Sequence, residues 1–352
     1  MNKLSIISIG LLFLISCSPQ SEKLTLAETP KNPLAIVIHG GAGGVEKRFF
    51  TTEQELAYKN TLQEALDAGY VILEKGGTSL EAVQAAIIIM ENSPLFNAGK
   101  GAVFNSEGKQ EMDASIMDGS NLKAGAVAGV NHIKNPILAA RMVMDSTSHV
   151  LLSGKGAEII AKKFNLEMVE SDYFFTPKRY NQLMKLQGKE EMKLDHNSSE
   201  HQKINYFIDD HKYGTVGAVA LDRFGNIAAG TSTGGMTNKK YGRIGDTPII
   251  GAGNYANNET CGVSCTGTGE YYIRTVAAHE ISNLMKYKNF SAQKALKEVI
   301  FNQISKLGGE GGAIVLDKNG NVAWDFNSSG MFRGYKKSTG ENVVEMYEMS
   351  KK

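Results

Sequence analysis

Two similar segments in the second half of the chain limit the folds available to it. Residues 217–228 (GAVALDRFGNIA) and residues 312–323 (GAIVLDKNGNVA) each have the pattern of a strand, a tight turn and a second strand. In both turns, Asp, Gly and Asn are residues that tolerate positive φ angles. Helical patterning over residues 269–287 and 291–307 separates the two segments. This order predicts two packed sheets with helices on both sides.

The first half of the globular part begins with a strand followed by two helices. Leu34 opens an apolar run, LAIVIH, that ends in the glycine turn GGAGG and fits a buried strand. Two capping boxes then predict helix starts, one from Thr52 to Glu55 and one from Thr78 to Glu81. The second of these helices, LEAVQAAIIIMEN, is apolar almost all round, so we expect it between layers.

Length and charge exclude several classes of protein. The 352 residues are 42% hydrophobic, which is enough for a large core in one or two domains. The 38 basic and 37 acidic residues are intermingled, so the chain has no strong positive electrostatic field that would attract a nucleic acid. The seven histidines show no metal-binding spacing such as HExxH, and we expect no catalytic metal.

The start of the chain has the composition of an export signal. Lys3 precedes an apolar run too short to cross a membrane comfortably, and LISC ends this run at Cys17. We interpret residues 1–16 as a signal peptide and Cys17 as the lipidated first residue of an exported, periplasmic or cell-surface lipoprotein. An ordinary signal peptide with a chance cysteine is the alternative. Residues 17–33 are polar and contain proline, and would form a flexible tether.

The two remaining cysteines are expected to be unpaired. Cys261 and Cys265 stand four residues apart in one predicted strand, which would separate their Cα atoms by about 13 Å. A disulfide requires Cα atoms within about 7 Å of each other. We therefore expect two buried free thiols.

The stretch from residue 212 to 258 concentrates residues suited to hydrolysis. It places Thr215 directly after a glycine at the head of a β-branched apolar run, GTVGAVA. A threonine hydroxyl is a weak nucleophile, but the α-amine of an N-terminal threonine can act as its base, because the pKa of that amine is about 7.7 to 8.0. Most threonines in such a position simply begin a strand, so the neighbouring motifs must decide between the two interpretations.

Six further motifs accompany this threonine. They are IHGGAG at 38–43, FNAGKG at 96–101, MDASIMDG at 112–119, TSTGGMTNK at 231–239, GRIGD at 242–246 and SCTGTGE at 264–270. Together with GTVGAVA, they resemble the plant-type asparaginase and isoaspartyl peptidase family of N-terminal nucleophile hydrolases. The resemblance covers nearly all the chain after the leader.

The resemblance implies an α+β fold, a four-layer αββα sandwich of two mainly antiparallel sheets flanked by helices. It also implies that the precursor cuts itself before Thr215, giving an alpha subunit of residues 34–214 and a beta subunit of residues 215–352. Residues 34–352 would form one domain, and processed protomers would pair as an (αβ)2 homodimer. The implied activity is hydrolysis of β-aspartyl (isoaspartyl) dipeptides and of the side-chain amide of L-asparagine, with release of L-aspartate.

A charged segment leads to this cleavage site. Residues 187–214 lack clear helical or strand periodicity, and a structureless stretch of this length indicates a disordered or functional segment. We interpret it as a flexible linker that ends at the bond between Gly214 and Thr215. Gly214 suits that chemistry, because a residue without Cβ tolerates a strained backbone and leaves its carbonyl open to attack.

Other residues acquire roles from the same resemblance. Thr233 matches a second threonine that holds the nucleophile in register. Arg243 can grip a substrate α-carboxylate with its planar fork, and Asp246 can take the α-ammonium group. Without that context, an arginine and an aspartate three residues apart would be an ordinary surface pair.

Four more positions and one loop complete the predicted site. Thr266 and Gly267 precede a predicted helix, so a hydroxyl and a backbone N–H there can face a developing oxyanion. In the family, Gly269 lies near the ammonium site through its carbonyl, and Asn97 matches an asparagine close to the nucleophile. Family members also hold a structural sodium ion, largely through backbone carbonyls, in the loop that matches Met90 to Lys100.

Three other interpretations remain open. GTSTG at 230–234 matches the GxSxG nucleophile elbow with Ser232 as nucleophile, but the elbow requires a helix directly after the turn, and GMTNKKYGRIGD looks like a loop. Glycosylasparaginase shares the fold and nucleophile, although its motifs around the threonine differ and its substrates carry a sugar on the asparagine side chain. From another class, the chain could be a catalytically inactive amino-acid-binding lipoprotein. The complete set of candidate residues argues against this last alternative.

Overall fold

The computed structural model describes residues 33–195 and 214–347, with the backbone alone for residues 189–195. The predicted signal peptide, the lipidation site Cys17, most of the tether and residues 196–213 of the predicted linker lie outside the described residues. Within the two described ranges, no helix combines the length and the apolar character needed to cross a membrane.

The strands form two sheets. They are β1 Ala35–Gly43, β2 Met112–Asp118, β3 Ala124–Val130, β4 Leu151–Ser153, β5 Val216–Leu221, β6 Ile227–Thr233, β7 Asn254–Ala256, β8 Cys261–Gly267, β9 Gly311–Asp317, β10 Val322–Phe326, β11 Gly330–Lys337 and β12 Asn342–Tyr347. The larger sheet has the order β12-β11-β1-β5-β6-β2-β3-β4, and the smaller has the order β10-β9-β8-β7. All neighbouring strands are antiparallel except β3 and β4.

Helices cover the outer face of each sheet. They are α1 Thr52–Glu74, α2 Ser79–Glu91, α3 Pro136–Ser146, α4 Gly154–Lys163, α5 Pro177–Asp195, α6 Gly269–Thr275, α7 Ala277–Lys288 and α8 Ala292–Lys297, the last continuing as a π-helical segment, Glu298–Ile304. The first three of these helices pack on the larger sheet, whereas α7 and α8 pack on the smaller one.

Side chains along β1 point alternately to its two faces, and this explains why β1 lies between a layer of helices and the second sheet. Val37 joins Ile314 of β9 in a buried cluster between the two sheets. Its neighbour Ile36 points to the opposite face and packs in a cluster with Leu66 of α1. Successive residues of a strand point to opposite faces, so β1 is buried from both sides. The four-layer αββα sandwich predicted from the sequence is confirmed.

The first helix begins one residue earlier than its predicted capping box. Thr51, not Thr52, accepts from the backbone N–H of Gln54, and the Gln54 side chain accepts from the backbone N–H of Thr51. Both positions satisfy the capping-box pattern. The observed register leaves Glu55 to pair with Lys59 at 2.6 Å, a contact that capping would prevent. The second predicted box, from Thr78 to Glu81, is present as expected.

The predicted linker begins too early in the sequence. Residues 187–195 were expected to be structureless, but α5 continues through them to Asp195. Lys, Glu, Met and Leu fill positions 189–194, and these are strong helix formers that outweigh the cost of Gly188. The predicted flexible segment is therefore wrong for residues 187–195.

Both thiols are buried and free, as expected. Cys261 and Cys265 lie at opposite ends of the same short stretch of β8. Burial raises the pKa of Cys261 to about 12, so its thiol stays protonated and unreactive near neutral pH.

Candidate functional site

Thr215 lies immediately before β5, which runs between β1 and β6 in the larger sheet. It is 6% exposed, and its hydroxyl donates to Oγ1 of Thr233 at 3.2 Å. Thr233 ends β6, and its Oγ1 also accepts from the backbone N–H of Gly235 at 3.0 Å. The register that sets Val216 opposite Ser232 keeps the two threonines side by side.

Glycines let the chain close tightly around the predicted cleavage site. A Cβ atom on Gly41 would lie 2.6 Å from the backbone N and O atoms of Gly214. A Cβ atom on Gly214 would lie 2.5 Å from Oγ1 of Thr266, which itself accepts from the backbone N–H of Ala42 at 3.2 Å. Gly41 also has a φ of +108°, a region that favours glycine. The glycine turn of β1, Gly214 and Thr266 thus pack together around the bond that precedes Thr215.

Asn97 borders the same cleft, but backbone groups engage both ends of its side chain. Its Nδ2 donates to the carbonyl of Gly235 at 2.7 Å, and its Oδ1 accepts from the N–H of Val103 at 3.0 Å. Because the N–H of Gly235 donates to Thr233, Asn97 holds the loop that orients Thr233. This geometry gives Asn97 a bracing role next to the nucleophile.

Arg243 and Asp246 lie together at the N-terminus of α6. Nε and Nη2 of Arg243 both donate to the carboxylate of Glu270, each at 2.8 Å. A Cβ atom on Gly269 would lie 2.8 Å from Oδ1 of Asp246 and 3.0 Å from Nη2 of Arg243, so glycine lets α6 approach both. A cation and a carboxylate in this arrangement can hold the two charges of an amino-acid head group.

The carboxyl group of Asp246 is placed to receive a cation. Asp246 is 4% exposed, and among the described residues its Oδ2 has no hydrogen-bond partner. Burial raises the pKa of Asp246 to about 7, and nearby Arg243 acts in the opposite direction. Thr247 is also buried, and its Oγ1 has no partner within the same ranges. Two such atoms at one end of a cleft mark a place where a ligand can supply the hydrogen bonds.

One cleft joins these groups. Its walls include Gly214, Thr215, Thr233, Arg243, Asp246 and Gly267. Thr266 is fully buried, while Gly267 ends β8 just before α6 and borders the same space as the nucleophile. Helix α5 adds Arg179, Gln182 and Leu186, which the sequence alone did not single out.

A series of hydrogen bonds between buried polar side chains lies next to β5, and the sequence did not predict it. Nε2 of His39 lies 2.8 Å from Oγ of Ser264, which lies 2.7 Å from Oγ1 of Thr231. Burial lowers the pKa of His39 to about 3, so its imidazole is neutral. Thr231 lies on β6 of the larger sheet and Ser264 on β8 of the smaller sheet. Hydroxyl residues within such buried strands are the signal that could have found these hydrogen bonds, since buried hydroxyls require partners.

Ser232, the alternative nucleophile, has a structural partner instead. Its hydroxyl donates to Oε1 of Glu91 at 2.6 Å, and both residues are fully buried. The same carboxylate accepts from the N–H of Ile137, at the start of α3, at 3.0 Å. No helix follows β6 over residues 234–253, which are all described. The geometry of a nucleophile elbow is therefore absent from this part of the chain.

The loop between Glu91 and Gly101 brings backbone carbonyls together. Gly99 lies so close to the carbonyl oxygen of Glu91, and Gly101 to that of Phe96, that a Cβ atom at either glycine would overlap it. Oxygen atoms of this kind are the donors that hard cations prefer, and the sodium ion expected in this loop stays a prediction. Within residues 33–195 and 214–347, no group of three or more His, Cys, Asp or Glu side chains could hold a metal ion.

Comparisons with known proteins agree with the motifs. A family described as asparaginase matches residues 32–345. The isoaspartyl peptidase of Salmonella typhimurium is 49% identical over 304 residues, covering 86% of this chain and 95% of that protein. The isoaspartyl peptidase of Escherichia coli is 47% identical over 300 residues, covering 85% and 92%. The isoaspartyl peptidase/L-asparaginase of Xenopus laevis is 40% identical over 296 residues, covering 84% and 90%. These matches confirm the resemblance, and the family match includes every residue of the candidate site.

Proposed function

Because the chain belongs to the asparaginase family, we propose that it is a threonine hydrolase that cuts its own backbone before Thr215 and then acts on small aspartyl substrates. It hydrolyses β-aspartyl (isoaspartyl) dipeptides and the side-chain amide of L-asparagine, releasing L-aspartate. The observation that carries the proposal is the hydrogen bond from Thr215 to Thr233, in the same cleft as Arg243 and Asp246. The names of the relatives support both substrates.

Self-cleavage starts from the intact chain. Oγ1 of Thr215 attacks the carbonyl carbon of Gly214, and the hydroxyl proton passes to the nitrogen of Thr215 as the C–N bond breaks, which leaves an ester. Water then hydrolyses the ester, restores the hydroxyl and leaves Thr215 with a free α-amine. The close packing of Gly41 against Gly214 supports this step, because it holds the scissile carbonyl in one place.

Turnover uses the new α-amine as the base for the threonine hydroxyl. Arg243 binds the substrate α-carboxylate, and Asp246 binds the α-ammonium group. Attack on the side-chain carbonyl forms an oxyanion that the hydroxyl of Thr266 and the N–H of Gly267 stabilise. Ammonia or an amino acid leaves with the proton taken up by the amine, and water then releases aspartate from the acyl-enzyme.

The proposal includes an assembly and a structural ion. Processed protomers, each made of residues 34–214 and 215–352, pair as an (αβ)2 homodimer, as the family resemblance implies. Carbonyls of the loop between Met90 and Lys100 would hold a sodium ion, and that loop carries Asn97, which braces Thr233 through Gly235. The reaction itself needs no cofactor.

Export and anchoring are proposed from the sequence. The family match begins at residue 32, so the signal peptide and Cys17 precede the catalytic domain. A lipid on Cys17 would anchor the enzyme at the periplasmic or cell-surface side of a membrane. Metabolic labelling with an alkyne fatty acid should mark the wild-type chain but not Cys17→Ala. Label that persists in the variant would contradict the anchor.

Two alternatives have less support. A glycosylasparaginase acts on asparagine that carries a sugar, whereas the relatives described above are named for isoaspartyl peptidase or L-asparaginase activity. A binding-only lipoprotein would use Arg243 and Asp246, but it would have no need of the hydrogen bond between Thr215 and Thr233.

Intact mass and N-terminal sequencing of the purified full-length chain test the proposal. The wild type should yield a fragment that begins TVGAVALD, and Thr215→Ala should stay whole. Thr237→Ala, a threonine that also borders the cleft, is the matched control and should be cut normally. Release of ammonia from L-asparagine and of leucine from β-aspartyl-leucine should appear only after cleavage. A wild-type chain that stays whole and hydrolyses neither substrate would overturn the proposal.

A further inference from the structure

A second arginine borders the cleft, and it comes from helix α5. Arg179, Gln182 and Leu186 are spaced three and four residues apart, so they share the helix face that lines the cleft. Arg179 is 2% exposed. Its Nε donates to the carbonyl of Gly101 at 2.9 Å, and its Nη1 donates to Oε1 of Gln182 at 3.2 Å. A fixed cation therefore stands in this wall of the cleft.

The cations of the cleft match the anions of one substrate class. Among the described residues that line it, Arg179 and Arg243 are the only ones with cationic side chains. A β-aspartyl dipeptide has two free carboxylates, one on the aspartyl residue and one on the leaving amino acid. L-Asparagine has only the first, because its leaving group is ammonia. A second arginine is therefore useful to a peptidase but not to an asparaginase.

The two arginines occupy different walls. Arg243 lies in the loop after β6 and contacts α6, where the aspartyl head group is held. Arg179 packs instead on the loop that carries Asn97 and Gly101. With the head group at Arg243 and the scissile carbonyl at Thr215, the leaving residue must extend toward the walls that the head group leaves open. Helix α5 is one of these walls.

We propose that Arg179 binds the free carboxylate of the leaving amino acid in β-aspartyl dipeptides, an inference that rests on the proposed function. A guanidinium carries five N–H donors, so Arg179 can hold Gly101 and Gln182 and still donate a charge-assisted hydrogen bond to a carboxylate. Leu186, two turns further along α5 than Arg179, borders the same space and offers an apolar surface to the side chain of the leaving residue. This subsite favours dipeptides over substrates whose leaving residue is amidated or followed by more chain.

Three substrates separate this role from a structural one. They are β-aspartyl-leucine, its C-terminal amide and L-asparagine. The wild-type kcat/KM should be about tenfold or more higher for the free acid than for the amide, because a hydrogen bond to a charged group is worth at least that factor. Arg179→Gln should lower kcat/KM for the free acid by a similar factor and erase the preference. The same variant should lower kcat/KM for L-asparagine much less than for the free acid, and Arg179→Lys should recover part of the preference.

Lys178→Gln is the matched control. It removes a positive charge from the neighbouring position of α5, and Lys178 is not among the described residues that line the cleft. This variant should leave the preference for the free acid over the amide intact. If Lys178→Gln also loses the preference for the free acid, that preference comes from the overall positive charge of α5. Such a result would overturn the assignment to Arg179.

Three further results would contradict the proposed role of Arg179. If Arg179 only clamps the loop through Gly101, Arg179→Gln will slow all three substrates together, and the proposal is wrong. Equal wild-type rates for the free acid and the amide would overturn it without any variant, so a variant that fails to fold does not prevent a decision. A wild-type chain that is not cut before Thr215 would instead overturn the proposed function, and the subsite would fall with it.

Discussion

Glu270 holds Arg243 from outside the cleft. Two hydrogen bonds of 2.8 Å join Nε and Nη2 of Arg243 to the Glu270 carboxylate. Arg243 lines the cleft, whereas Glu270 is not among the described residues that do, and its side chain is 47% exposed. Two bonds to one carboxylate fix the plane of a guanidinium. Glu270 therefore sets the direction from which Arg243 meets a substrate carboxylate.

Glu270→Gln should weaken substrate binding without impairing self-cleavage. A glutamine can keep only one of the two hydrogen bonds, so the guanidinium becomes free to turn. We expect KM for L-asparagine to rise roughly threefold to tenfold with little change in kcat, a modest effect because the pair is partly exposed. The rate of cleavage before Thr215 should stay the same, since the head-group site takes no part in it. Steady-state kinetics and gel analysis measure the two quantities.

Glu259→Gln is the control for this prediction. Glu259 makes an exposed ion pair with Lys286 at 2.6 Å, and it is not among the described residues that line the cleft. Its loss should leave KM unchanged. A Glu270→Gln enzyme that binds asparagine as tightly as the wild type, or that cleaves itself slowly, would show that Glu270 has a different role.

Inhibition by the product L-aspartate should strengthen as the pH rises toward 7. Burial raises the pKa of Asp246 to about 7, so below that pH the free enzyme holds a neutral carboxyl group that attracts an ammonium group poorly. The inhibition constant should increase by up to about tenfold for each pH unit below 7 and level off above it. Competition assays across this range measure it. Asp246→Asn should give weak inhibition with no such dependence, and a flat wild-type profile would contradict the role of Asp246.

The carboxyl group of Asp246 should also destabilise the folded protein at high pH. Its pKa is 3.8 ordinarily and about 7 in the folded protein, so between these values the folded protein binds more protons than the unfolded chain. The free energy of unfolding therefore falls as the pH rises through this window. Asp246→Asn removes the penalty and should raise Tm by about 3 °C or more near pH 8, with a smaller gain near pH 4. Scanning calorimetry would contradict this if Tm were unchanged at the higher pH. Asp67→Asn, which removes a half-exposed carboxylate paired with Lys336, is the control and should not raise Tm at pH 8.

Much of the fold and site could be predicted because the informative residues stand in short, local patterns. The two strand-turn-strand segments became β5–β6 of the larger sheet and β9–β10 of the smaller one. Thr215, Thr233, Arg243 and Asp246 were selected from motifs within about thirty residues, and the structure gathers them around one cleft. The packing of the two sheets follows from the alternation of side chains along each strand, and this alternation is also a local property of the sequence.

The features that escaped prediction depend on long-range contacts or on competing local solutions. Arg179 reaches the site only because α5 packs on the loop of Gly101, 78 residues away in sequence. The first helix had two equivalent capping boxes, and pairing of Glu55 with Lys59 and Tyr347 accompanies the choice of Thr51. Contacts with residues distant in sequence decide between such alternatives, and a local sequence pattern does not contain those residues.

Gly41→Ala should block self-cleavage by moving the scissile carbonyl. The added Cβ atom would lie 2.6 Å from the N and O atoms of Gly214, closer than real Cβ contacts allow, so one of the two backbones must shift. Any shift moves the carbonyl carbon of Gly214 relative to Oγ1 of Thr215, and attack depends steeply on that distance. We expect the uncut precursor to persist at least about a hundredfold longer than the wild type, as followed by gel and intact mass.

Gly108→Ala separates this contact from backbone strain in general. Gly108 has a positive φ of +76°, as Gly41 has one of +108°, but a Cβ atom there would meet nothing within 4 Å. Alanine at either position costs about 1 to 2 kcal/mol for its backbone conformation. If strain alone mattered, both variants would lose stability alike and would process at similar rates. We expect Gly108→Ala to lose a little stability and to cleave at the wild-type rate, whereas Gly41→Ala stays whole. Normal cleavage of Gly41→Ala would mean that the packing of the β1 turn on Gly214 does not position the bond before Thr215.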